Sequence, residues 1–134
     1  MTIKNNDKQR ILIVDDESDI TTALKIYLEI QGFQVDAFTD PVNALAQFKA
    51  DFYQLLILDI KMPDMNGFEL FTEIKKKDKT IKVFFLTALS EMHDYDAYKK
   101  DVFPKEGERY FIAKPIENDE ILKRINTVIA KERN

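Results

Sequence analysis

Apolar residues in this chain follow two rhythms. Short unbroken runs, ILIV at 11–14, LLIL at 55–58 and VFFL at 83–86, are rich in β-branched, leucine and aromatic residues. Bounded by polar residues, they predict strands buried on both faces. FQVDAF at 33–38 alternates with a period of two, and RYFIAK at 109–114 predicts a fifth strand. Between these runs the apolar spacing changes to three and four. Ile20, Leu24, Tyr27, Leu28 and Gln31 predict a helix from Ser18, stopped by Gly32. Asp40-Pro41 reads as a cap and a first-turn proline, opening a helix through Leu45 and Phe48. Pro63 and Asn66-Gly67 mark a loop. Phe68, Leu70, Phe71 and Ile74 then predict a helix ending in Lys75, Lys76 and Lys77, where cations suit the macrodipole. Ser90 predicts the cap of a fourth helix bearing Met92, Tyr95 and Tyr98, a thin stripe that makes it the least firmly held. Residues 101–109, with Pro104 and Gly107, predict a loop. Ile121, Leu122, Ile125, Val128 and Ile129 predict the final helix.

Five strands alternating with five helices require parallel pairing and right-handed crossovers. The predicted class is α/β, a doubly wound sheet with helices on both faces. The 134 residues suffice for one domain. Residues 1–9 are polar and predict a loose tail before a domain at 10–132.

Composition narrows the function. There is no cysteine, which excludes disulfides and thiolate metal sites. Lys and Arg number 20 against 24 Asp and Glu, a formal charge of −4, which argues against nucleic-acid binding by this chain alone. No apolar run approaches the ~20 residues of a membrane span. The N-terminus lacks the apolar stretch of a secretory signal. The expectation is a cytoplasmic protein with no membrane contact. His93 stands alone, which predicts a helix-surface residue and not a metal ligand.

The ends of four predicted strands carry the candidate chemistry. They close on Asp15 and Asp16, on Asp59, on Thr87, and on Lys114 followed by Pro115. In an open parallel sheet the C-terminal strand ends share one rim, and ligands bind there. Clustered carboxylates beside a hydroxyl and an ammonium suit a magnesium ion and a phosphoryl group. Without a cation, mutual repulsion predicts that at least one carboxyl has a raised pKa. Singly, each residue also has an ordinary reading. A lone Asp at a strand end is a turn former or helix cap. Asp15 and Asp16 compete with Ser18 as caps of the first helix. Thr87 fits a plain strand position, and Lys114 a solvated charge.

Taken in order, ILIVDDE, LLILDIKMPDMNGFEL, VFFLTA and FIAKP resemble the response-regulator receiver domain of two-component signalling, over about residues 10–132. The resemblance implies a flavodoxin-like (βα)5 fold with strand order 2-1-3-4-5. It implies that Asp59 accepts a phosphoryl group as an aspartyl-phosphate. Asp15, Asp16, Asp59 and the backbone carbonyl of Lys61 would hold Mg²⁺, with Mn²⁺ as a substitute. Thr87 would bind a phosphoryl oxygen and act as a switch with Phe111, and Lys114 would neutralise charge. The Lys114–Pro115 peptide would be cis. Phe111 also has an equal reading as a plain core residue.

The implied partners are a histidine kinase or histidine phosphotransfer protein and an unidentified downstream protein. The latter would bind the face of helix 4, strand 5 and helix 5, with the chain a monomer or a phosphorylation-dependent dimer. The implied protein is no enzyme beyond Mg-dependent self-phosphorylation and self-dephosphorylation. Lys61 stands where phosphatases of the haloacid dehalogenase kind usually carry a second Asp, so their general acid is absent.

Two features depart from the pattern or refine it. Thr87 and Lys114 are 27 residues apart (114 − 87), because VFPKEGER fills the place of a short small-residue turn. That segment is either a partner-specific surface using Phe103 or a tolerated insertion. Leu89 is expected to flank the phosphoryl group and hinder water. The alternatives are a phosphorylation-independent interaction module, or a receiver fragment of a longer regulator with a DNA-binding or catalytic output domain. A single-domain regulator or shuttle is equally open.

Overall fold

The computed structural model describes residues 9–105 and 107–133. Residues 1–8, most of the expected tail, lie outside them. Five strands, β1 (Arg10–Val14), β2 (Gln34–Phe38), β3 (Leu55–Asp59), β4 (Lys82–Ala88) and β5 (Phe111–Lys114), form one parallel sheet. Their order is β2-β1-β3-β4-β5, as the resemblance implies. Five α-helices connect and follow them: α1 (Ser18–Ile30), α2 (Pro41–Gln47), α3 (Gly67–Lys77), α4 (Asp96–Val102) and α5 (Asn118–Arg133).

Alternation along the strands divides the core in two. Ile11, Ile13, Leu55, Ile57, Phe84 and Leu86 face α1 and α5, against Leu24, Leu28, Ile121 and Ile125. Leu12, Val14, Leu56, Leu58, Val83 and Phe85 face the other way, against Ala44, Leu70, Phe71 and Ile74 of α2 and α3. Strands apolar on every residue are therefore buried on both faces, as a parallel sheet between helix layers requires.

Local signals fix the helix ends. Asp40 accepts from the Val42 amide at 3.0 Å, ahead of Pro41. Gly32 takes φ +102°, a left-handed turn that ends α1. Asn66 and Glu69 form a reciprocal capping box at the start of α3, with bonds of 2.8 and 2.9 Å. Asn66 is thus a helix cap and not merely a loop residue. Phe48 closes α2 in extended geometry and stacks on Tyr53.

The region after β4 differs from expectation. Ser90 does not cap a helix. Residues Leu89–Tyr95 form a 3₁₀ stretch that passes into α4 with no side-chain cap at either start. Met92, Tyr95 and Tyr98 are three residues apart, and in a 3₁₀ helix positions i and i+3 eclipse. Met92 and Tyr95 share a face in this way, Tyr98 follows on the first turn of α4, and all three pack on the core while His93, Asp94, Asp96 and Ala97 face solvent. A second 3₁₀ turn covers Gly107–Tyr110, so β5 starts at Phe111 and not at Arg109. Phe103 is half-buried and lines a surface cavity with Pro104, Gly107 and Glu108. Its ring stacks on Tyr110 at 4.4 Å and lies 6.3 Å from Phe71, which anchors one side of the extra segment while Pro104 and Lys105 stay exposed.

Candidate functional site

Sheet register brings the strand ends together. Val14 pairs with Leu58, Asp59 with Leu86, and Ala88 with Lys114. Asp15 therefore follows β1 at the level of Asp59, and Thr87 and Lys114 reach the same rim. Oxygens of Asp15, Asp16 and Asp59 lie within 4.8 Å of one another. Lys114 Nζ is 2.9 Å from Asp15, 3.1 Å from Glu17 and 3.2 Å from Asp59. Asp16, Glu17, Asp59, Lys61, Thr87 and Lys114 line a cavity of ≈300 Å³. The Lys114–Pro115 peptide is cis.

The backbone secures this arrangement. The Asp15 amide bonds to the Phe38 carbonyl at 3.1 Å, and the Ile60 amide to the Leu86 carbonyl at 3.1 Å. Asp15 Oδ1 accepts from the Glu17 amide at 2.9 Å. Gly67 closes the loop after β3 by donating to the Ile60 carbonyl at 2.8 Å. Glu17, and not an Asp, occupies the N-cap position of α1, and its side chain makes no cap bond. The capping reading of Asp15 and Asp16 therefore does not account for them.

Burial dominates the electrostatics. Asp59 is pushed up to about 7, first by burial and then by the negative charge of Asp15, against the opposing pull of Lys114. Repulsion between carboxylates contributes, but desolvation is the larger cause. Asp15 is also raised, by burial, although the Glu17 amide and Lys114 act the other way. Burial would lower Lys114, yet hydrogen bonds and charge from Asp15, Glu17 and Asp59 outweigh it and raise its pKa. The Thr87 hydroxyl is buried without a well-formed hydrogen bond, although the Tyr95 phenol lies close enough to feel it.

These shifts set a stability–pH relation. Between pH 3.8 and about 7 the folded protein holds a proton on Asp59 that the unfolded chain has released. Asp59 therefore destabilises the fold increasingly as pH rises through that window, by roughly 2–4 kcal/mol once above it. Asp59→Asn is expected to raise Tm by roughly 10 °C at about pH 8 and to change it little at about pH 4. Thermal melts at the two pH values check this, and equal shifts at both would contradict it.

Other residues fall elsewhere. Phe111 is fully buried beneath the rim and does not line the cavity. Leu89 is 70% exposed and also does not line it. Instead Lys61 Nζ reaches Glu91 at 2.7 Å across the mouth, and both residues line the cavity. Sequence reasoning missed Glu17 and Glu91. The first was visible as the third acid of the DDE run. The second carries no local signal, because its partner lies 30 residues away. His93 is an exposed residue of the 3₁₀ stretch, 3.7 Å from Asp96.

The donor set fits a hard divalent cation. It offers carboxylate oxygens from three residues on one side, open space, and a buried hydroxyl and an ammonium facing the same cavity. Among the described residues no helix is long and apolar enough to cross a membrane.

Known proteins share this fold. A family model described as the response regulator receiver domain matches residues 11–126. The regulatory protein VanRB of Enterococcus faecalis is 34% identical over 122 residues, covering 91% of this chain and 53% of VanRB. The chain spans about half the length of the curated relatives it matches. The non-phosphorylated HemR receiver domain of Leptospira biflexa superposes with TM-score 0.77 at 31% identity, covering 91% of this chain and 94% of that one. Response regulator TrrA of Thermotoga maritima, solved in complex with Mg²⁺ and BeF, gives TM-score 0.69 at 31% identity, covering 90% and 98%. A family match over so much of the chain, on this strand order, makes the protein a member of the response regulator receiver domain family.

Proposed function

We propose that Asp59 accepts a phosphoryl group from a histidine kinase or a histidine phosphotransfer protein, and that the product changes the face built from α4, β5 and α5. An Asp59 carboxylate oxygen attacks phosphorus and forms an acyl phosphate. The bond from phosphorus to the donor imidazole nitrogen breaks, and its electron pair stays on that nitrogen. Phosphoryl transfer depends on in-line positioning and charge neutralisation more than on covalent help. Lys114 supplies a point charge to one phosphoryl oxygen, and the Thr87 hydroxyl supplies a donor to another. Asp15, Asp16, Asp59 and the Lys61 carbonyl would hold Mg²⁺, or Mn²⁺ in its place, which when bound screens the charge on the transferring group.

The observation that carries this reading is the cluster itself. Oxygens of three carboxylates lie within 4.8 Å of one another, those of Asp15 and Asp59 also paired with Lys114, beside a buried hydroxyl that lacks a good partner. A group with several acceptor oxygens would satisfy the hydroxyl and share the ammonium with the carboxylates that hold it. In this reading Thr87 and Phe111 form the switch, residues 10–132 are the signalling unit, and the protein works in the cytoplasm. Its own chemistry stops at gaining and losing the phosphoryl group. It acts by binding a downstream protein, as a monomer or as a dimer formed on phosphorylation.

Incubation with acetyl phosphate and Mg²⁺, followed by intact mass, tests the reading. The expected result is the mass of one added phosphoryl group, lost when EDTA replaces the metal. An unchanged mass would refute it. Magnesium alone is expected to raise Tm at neutral pH, because an ion bound only by the folded state at ~100 times its Kd adds about 2.7 kcal/mol. A Tm indifferent to Mg²⁺ would contradict the cation site.

A further inference from the structure

Lys99 sits on a short helix at the molecular surface, yet it is only 5% exposed. Among the described residues it is the one lysine in the buried class. Its ammonium donates to the Met92 carbonyl at 2.7 Å and to Glu108 at 2.9 Å. It also lies 3.5 Å from Asp96 and 4.7 Å from the centroid of the Phe111 ring. A buried ammonium needs such partners, because leaving them unmade forfeits its solvation with no return.

Those partners belong to separate pieces of chain. Met92 lies in the 3₁₀ stretch that starts two residues after Thr87. Glu108 lies in the turn that leads into β5. Phe111 opens β5 itself. The pieces are tightly apposed, since a Cβ on Gly107 would come 3.0 Å from the Lys99 Cβ. One charge therefore joins the exit from the phosphoryl site, the extra segment before β5, and the aromatic ring beneath the rim. A displacement of Thr87 would shift the 3₁₀ stretch, because only Ala88 separates the two. The Met92 carbonyl would then either keep Lys99 and draw it from Glu108 and Phe111, or release it to them.

We propose that Lys99 is the positioning residue that couples the state of Asp59 to residues 103–112, making the extra segment part of the signalling surface. This rests on the function proposed above. The exposed side of that segment presents Val102, Pro104 and Lys105, so its movement alters what a partner protein meets.

The test compares amide exchange across residues 103–112 in the full chain, with and without beryllofluoride and Mg²⁺. Wild type, Lys99→Met and Glu108→Gln are measured. Lys99→Met keeps the apolar stem and removes the charge. Wild type is expected to show about a tenfold change in exchange between the two states, within the usual range of coupling between sites. Lys99→Met is expected to abolish the difference while still gaining one phosphoryl group from acetyl phosphate by intact mass. Glu108→Gln, altered at an exposed side chain, is expected to reduce it by at least half. A purely structural lysine would raise exchange equally in both states and keep the wild-type ratio, which would overturn the proposal. If Lys99→Met fails to fold by circular dichroism, Glu108→Gln decides, and a wild-type ratio there overturns it. A wild-type protein that takes up no phosphoryl group refutes the proposed function itself, a failure seen without any substitution.

Discussion

Gly67→Ala is expected to be among the most damaging single substitutions in this chain. The added methyl would collide with the backbone carbonyl oxygen of Asp59 and lie 3.1 Å from both the Asp59 carbonyl carbon and the Ile60 Cα. None of these atoms is the free end of a side chain. They belong to the tip of β3, which the Ile60 amide ties to β4 at 3.1 Å. Relief requires α3 to back away, against Leu70, Phe71 and Ile74 in the core and against the Asn66–Glu69 capping box. Overpacking of this kind costs about 3 kcal/mol or more at its severe end. A Tm lowered by roughly 10 °C or more is expected in thermal melts. Gly32→Ala is the useful contrast. Nothing lies within 4 Å of a Cβ there, and only the positive φ penalises it, by about 1–2 kcal/mol. A Gly67→Ala protein that melts with wild type would show that the loop after β3 is less constrained than described.

The second large effect is expected from Lys114→Met. Lys114 holds the pKa values of both Asp15 and Asp59 down against burial. Without it both carboxyls rise further, and at neutral pH less of Asp59 is the carboxylate that attacks phosphorus. The transferring group also loses the ammonium that would neutralise it. Removal of one such electrostatic contact typically costs ~10²–10³ in rate. A fall of that size in phosphorylation by acetyl phosphate is expected, followed as a mass time course. Stability follows a definite pH sense. Breaking a buried pair costs about 3–5 kcal/mol when the remaining charge stays ionised. Protonation of Asp59 and Asp15 relieves that cost, so the loss in Tm is expected to be smaller at acid pH than at alkaline pH. An unchanged phosphorylation rate would remove Lys114 from the proposed chemistry.

Much of this geometry was legible because a parallel sheet turns sequence position into spatial position. Asp15, Asp59, Thr87 and Lys114 are far apart in the chain, but each lies at or within one residue of a strand's C-terminal end. The register then leaves them little choice but one rim. Their chemical roles remain the proposal made above. β1, β3 and β4 were readable from unbroken apolar runs, β2 from alternation, and α1, α3 and α5 from stripes at helical spacing. What was not readable depended on contacts made only after folding. The 3₁₀ form of Leu89–Tyr95, with Met92 and Tyr95 packed against the core, is one such case. Phe103 stands in a polar insertion, and its half-burial depends on rings of Phe71, Phe85, Tyr98 and Tyr110 that only folding brings beside it. Lys99 carried no signal at all, since a lysine between polar neighbours predicts solvent. The bar from Lys61 to Glu91 likewise joins two charges that sequence alone leaves unpaired.

The most direct measurement is the identity of the modified residue. The protein is phosphorylated with acetyl phosphate and Mg²⁺, reduced with borohydride, which converts an aspartyl phosphate to homoserine, and mapped by peptide mass spectrometry. The expected result is homoserine at position 59 and unmodified aspartate at positions 15 and 16. Conversion at position 15 or 16 in its place, or at no aspartate, would contradict the account.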